Sequence, residues 1–133
     1  MKLLSFIIDT NVLIEIEKNN KLVLSKIENL DIAKDNIYIT SPSYSEFYLG
    51  LLGFSKEKIA RQKDRLDRYK ILNTSKNSSR ILAEIKKSLS DKGIMIPIFD
   101  LFIGSIAIDS QLPLITTDRH FSRIPNLRSI LIV

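Results

Sequence analysis

The sequence predicts an α/β domain: a five-stranded, mainly parallel sheet flanked by helices. Short apolar runs at residues 3–8, 37–40 and 114–116 have the continuous hydrophobicity of strands buried on both faces. Between them lie longer stretches with apolar residues at helical spacing, and that alternation is the pattern of βαβ units. The chain has 133 residues, 44% hydrophobic and 26% charged, which suits one core of ordinary composition. Without an internal repeat, linker or low-complexity tract, residues 1–133 read as a single domain.

The elements follow in order. Residues 3–8 are the first strand. Residues 12–30 set Leu13, Ile16, Val23, Leu24, Ile27 and Leu30 at helical spacing, and Asn19-Asn20 divides them into two helices. Ile37-Tyr38-Ile39-Thr40 is the second strand. Ser41-Pro42 then opens a helix to about residue 52, with Ser41 as cap and proline at the first helical position, and Gly53 ends it. Another helix spans about 56–68, and residues 70–73 are the third strand. Residues 73–79 are polar and read as a loop. Ser79 caps a helix to about residue 91, with the stripe Ile81, Leu82, Ile85, Leu89 and a stop at Gly93. Residues 100–109, apolar and rich in small side chains, form a buried helix. Residues 114–116 and 128–132 are the fourth and fifth strands.

Composition narrows the chemistry. With no cysteine and one histidine, disulfide scaffolds, thiol catalysis, thiolate zinc sites and His-rich metal motifs are excluded. The first eight residues look like the start of a secretion signal, but Asp9 interrupts them and no small-residue cleavage site follows. No stretch approaches the length of a membrane span, so the expected location is the cytoplasm. The net charge is +5, and residues 56–92 supply the excess with twelve basic and five acidic side chains. Such a segment is either a solvated helical face or an electrostatic footprint for a phosphate backbone.

Four carboxylates stand where the pattern predicts burial or strand ends, positions costly for an acid unless it is paired or bound to metal. Asp9 follows the first strand and Asp118 the fourth, at the edge where parallel sheets bind ligands. Glu46 lies one turn inside an apolar helix, and Asp100 interrupts an apolar run at a helix start. Each has a structural alternative. Asp9 and Asp100 can cap helices, Asp118 can end a turn, and Glu46 can close a capping box with Ser43. Jointly they predict a crowded anionic cluster that a hard divalent cation relieves. All-oxygen ligands point to Mg²⁺ or Mn²⁺. Beside a basic surface, such a cluster suits phosphodiester hydrolysis, where the metal activates water and neutralises the phosphate.

These residues resemble the PIN-domain ribonucleases, specifically the small VapC-type toxins of toxin–antitoxin modules. The resemblance covers essentially the whole chain and rests on four ordered motifs: Asp9-Thr10-Asn11, Glu46-Phe47-Tyr48-Leu49-Gly50, the segment from Asp100 through Gly104 to Ala107, and Thr116-Thr117-Asp118-Arg119-His120-Phe121. It implies a three-layer α/β/α fold with strand order 3-2-1-4-5 and a Mg²⁺- or Mn²⁺-dependent RNA endonuclease. It also implies that Asp9, Glu46, Asp100 and Asp118 ligate metal directly or through water, while Asn11 and Thr117 support them. Gly104 and Ala107 stand where a pair of alanines is commoner, and both are small enough for close helix packing. The implied substrate is a structured RNA such as a transfer RNA. The implied partners are a second copy of the chain and an antitoxin, whose helix lies in an apolar groove drawn from Phe47, Tyr48, Leu51, Leu52 and Phe54. His120 reads as a surface or phosphate-contacting residue.

Two other readings share the fold: a housekeeping RNA-processing nuclease without an antitoxin, and a catalytically silent RNA-binding domain. The intact carboxylate set argues against the second, because a pure RNA binder gains nothing from negative charge near phosphates. Four glycines, at 50, 53, 93 and 104, leave no phosphate-cradling glycine loop.

Overall fold

The computed structural model describes residues 5–30 and 36–132. Its strands are β1 (Phe6–Ile8), β2 (Ile37–Thr40), β3 (Lys70–Leu72), β4 (Leu114–Thr116) and β5 (Ser129–Leu131). They form one sheet in the order β3-β2-β1-β4-β5, and each of these pairings is parallel. Residues 3 and 4 of the expected first strand lie outside the described residues. The helices are α1 (Thr10–Glu17), α2 (Lys21–Glu28), α3 (Ser41–Leu51), α4 (Lys56–Leu66), α5 (Lys76–Asp91) and α6 (Ile98–Ser110).

The side-chain period of a strand sorts the core into two layers. Phe6 and Ile8 of β1 join Val12, Leu13, Val23, Ile27, Phe47, Leu51 and Leu66, so α1 to α4 cover one face. Ile7 joins Ile85, Leu89, Leu101, Ile103 and Ala107, so α5 and α6 cover the other. All three β1 residues are fully buried, as the central strand of a doubly covered sheet requires. Gly104 is buried in α6, and a Cβ added there would stand 2.9 Å from Ile124 Cδ1. The small residue therefore permits the close approach expected of it.

Two helix starts differ from expectation. Thr40, not Ser41, caps α3: its hydroxyl accepts from Ser43 N, and Ser41 and Pro42 lie in the first turn. Ser75, not Ser79, caps α5, in a reciprocal pair with Ser78. The helix thus begins one turn earlier, inside the stretch expected to be loop. The break at Asn19-Asn20 is as expected: Asn19 takes a left-handed conformation (φ 57°) and Asn20 caps α2.

Candidate active site

The topology gathers the four acids. The carboxyl ends of the adjacent strands β1 and β4 deliver Asp9 and Asp118 to one edge of the sheet. The second turn of α3 brings Glu46, and the first turn of α6 brings Asp100. All four line one cleft of about 260 Å³, together with Thr10, Asn11, Pro97, Ile98, Phe99 and Phe121. The start of a helix is a favourable place for an anion, which eases the presence of Asp100 in the first turn of α6.

Asp9 is the most buried of the four, with 2% of its surface exposed. It caps α1, with Oδ1 accepting from Val12 N at 2.8 Å, and it also lines the cleft, so the capping role does not remove it from the acidic set. Its Oδ2 accepts a hydrogen bond from the Thr116 hydroxyl. Burial pushes the Asp9 carboxyl up to about 6; the two hydrogen bonds oppose this, and the neighbouring Asp100 and Asp118 add to it. Burial also raises Asp100. There the contact with His120 opposes the shift and Asp118 reinforces it.

Hydroxyls and one imidazole hold the remaining groups. Thr10 Oγ1 donates to Glu46 Oε1 at 2.6 Å, and Ser43 Oγ lies 3.0 Å behind it. Glu46 therefore does not close a capping box with Ser43. Thr116 accepts from Asp118 N at 2.9 Å while donating to Asp9, which ties the two strand ends. The hydroxyl that holds Asp9 is thus Thr116 and not Thr117, which does not line the cleft. Asn11 does line it. His120, expected at the surface or against phosphate, is partly exposed, and its ring nitrogens lie 2.8 Å from Asp100 Oδ2 and 2.8 Å from Asp118 Oδ1. Thr10, Thr116 and His120 all stand within the first and fourth motifs, but nothing in those motifs says which groups they hold.

The donor set suits a hard cation: carboxylate oxygens on one cleft, with Asp9 pushed up by burial and by two like charges. Among the described residues, no three such groups are drawn into a ready coordination shell.

The PIN-domain family model matches residues 6–127. Ribonuclease VapC2 of Rickettsia felis is 34% identical over 128 residues, covering 92% of this chain and 93% of that one. This chain is a VapC-type PIN domain. Its fold is that of VapBC2 from Rickettsia felis, solved bound to a DNA fragment from their promoter (TM-score 0.80, 26% identity, 96% of this chain and 98% of that one). VapBC-1 from nontypeable Haemophilus influenzae shares the same PIN architecture (TM-score 0.81, 23% identity, 96% and 98%). The three-layer arrangement and strand order implied by the four motifs are therefore the family's own.

A second concavity of this PIN domain lies between α1, α3 and α4. It is apolar, lined by Ile14, Phe47, Gly50, Leu51 and Phe54, with Lys58 at its rim. Glu46 lines both this groove and the acidic cleft, so the two adjoin at that residue. Of the residues expected to form a groove, Phe47, Leu51 and Phe54 do so, while Tyr48 stacks on Tyr44 and Leu52 lies outside it, exposed.

Proposed function

We propose that this chain is the toxin of a toxin–antitoxin pair, an endoribonuclease that hydrolyses RNA with Mg²⁺ or Mn²⁺ held by Asp9, Glu46, Asp100 and Asp118. The observation that carries this reading is the convergence of the four carboxylates on one cleft of a VapC-type PIN domain. Thr116 and Thr10 donate to Asp9 and Glu46, which limits how far those two carboxylates can turn as a cation draws the set together. A bound divalent ion supplies charge neutralisation at the scissile phosphate and activation of water. Asn11, at the mouth of the cleft, is placed to orient water or phosphate. The basic segment of residues 56–92 gives a polyanion its long-range attraction, and a structured RNA such as a transfer RNA fits that demand. Among the described residues no helix is long and apolar enough to cross a membrane.

The test is cleavage of RNA by purified protein in Mn²⁺, with EDTA and Asp9→Asn as controls. Metal-dependent cutting that disappears in both controls is expected. A folded, partner-free protein that cuts no RNA at high concentration overturns the reading.

The apolar groove supports an antitoxin partner, whose helix would lie along α3 and α4 and reach a basic side chain past Glu46 toward the acids. Phe54 is half exposed, with Lys58 Nζ 3.7 Å above its ring. Phe54→Glu is expected to weaken antitoxin binding about tenfold or more while leaving RNA cleavage by the free toxin intact. An unchanged affinity by calorimetry would move the antitoxin elsewhere. The same reading makes the toxin a homodimer, which light scattering of the free protein checks.

A further inference from the structure

The imidazole of His120 sits between two of the four acids. Nε2 faces Asp100 Oδ2 and Nδ1 faces Asp118 Oδ1, each at 2.8 Å, and both partners are hydrogen-bond acceptors. Each carboxylate gives His120 one oxygen and keeps the other. The two acids line the cleft, and the ring, which does not, bridges them from its flank. It is itself fixed. His120 N donates to Asp118 Oδ1 at 3.1 Å, and the ring lies 4.9 Å from the buried ring of Phe121. The other two acids are held by hydroxyls: Thr116 donates to Asp9, and Thr10, itself on the cleft wall, donates to Glu46.

We propose that His120 is a positioning residue that braces Asp100 and Asp118, joining the start of α6 to the end of β4 so that the free oxygens of both acids face one cation. The proposal rests on the metal-dependent reading of the cleft. Ligating carboxylates held from behind bind metal more tightly than unheld ones, and removing such a partner costs about 10–100-fold in affinity.

The experiment is calorimetric titration of Mn²⁺ into the metal-free full-length protein, comparing wild type with His120→Ala, His120→Asn and His120→Gln. Thermal unfolding confirms that each variant is folded. Asn approximates the reach of Nδ1 toward Asp118, and Gln that of Nε2 toward Asp100. Wild type is expected to bind Mn²⁺, the Ala variant about tenfold more weakly or worse, and the Asn and Gln variants in between. The Mn²⁺ concentration giving half-maximal RNA cleavage should rise in proportion. An Ala variant that binds as wild type, or more tightly, overturns the brace alone. So does a fall in rate at saturating Mn²⁺ with unchanged affinity, which would set His120 at the reacting atoms. If the Ala variant does not fold, wild-type affinity in both the Asn and Gln variants overturns the proposal equally. A wild type that binds no Mn²⁺ overturns the brace together with the metal-dependent reading beneath it.

Discussion

Asp9 does three things at once: it caps α1, accepts from Thr116 and lines the cleft. Its carboxyl sits at about 6 against the usual 3.8, so the folded protein holds this proton more tightly than the unfolded chain. The cost is therefore absent below about pH 4 and grows as the pH rises through 6, reaching about 3 kcal/mol in the metal-free protein. Asp9→Asn is expected to abolish RNA cleavage yet stabilise the metal-free protein by about 1–2 kcal/mol near pH 8, with no gain near pH 4. Urea unfolding in EDTA at the two pH values checks it, and destabilisation near pH 8 would make the carboxylate a structural necessity. The four acids were legible because each stands at a strand end or interrupts an apolar helix. Their supports were less so. Thr116-Thr117 offers two hydroxyls in succession, and only strand register decides between them: Ile8 pairs with Ile115, which sets Thr116 beside Asp9. One of the two partners of His120, Asp100, lies twenty residues away on α6, a contact that local spacing does not encode.

The boundaries of elements turn on the same ambiguity of hydroxyls. Thr40, Ser41 and Ser43 are all sound capping types, as are Ser75, Ser78 and Ser79, so composition locates a helix start only to within a turn. The structure separates them by what each oxygen accepts. Ser75 Oγ takes Ser78 N at 3.0 Å and donates toward Asp109 of α6, whereas Ser79 Oγ only returns a bond to Ser75 O. Ser75→Ala is accordingly expected to cost about 1 kcal/mol and Ser79→Ala less than half of that in thermal unfolding. Equal effects would argue that the reciprocal cap adds nothing. The short segment Arg119–Arg123, a 3₁₀ turn, escaped prediction because five residues show no periodicity. It is nonetheless the element that carries His120 to the acids.

At the scale of the whole molecule, the alternating apolar runs made the fold class readable, and the strand order came with the family resemblance that the four motifs carry. The disposition of charge was not. The basic excess of residues 56–92 is partly consumed within its own helices: Lys63 pairs with Asp67, Arg68 with Asp64, Arg80 with Glu84 and Lys87 with Asp91, each one turn apart. Arg65 instead reaches Glu17, whose side chain is nearly buried, and ties α4 to α1. Such exposed pairs add little to stability, so the excess acts chiefly at a distance. RNA affinity is therefore expected to fall steeply, by about tenfold or more, between roughly 50 and 200 mM KCl. Binding by the cleavage-inactive Asp9→Asn protein measures this directly, and a flat salt response would show that the basic segment does not meet the RNA.

The hydrogen bond from Thr116 to Asp9 spans 107 positions of the chain. β1 is made first but lies between β2 and β4, and it stays uncovered on one side until β4 has been synthesised. A growing polypeptide thus holds Asp9, Glu46 and Asp100 well before it holds Asp118, and it cannot clamp the first to the last. On the proposed reading, the order of synthesis therefore leaves the acidic cleft one wall short until β4 has been made and has paired with β1.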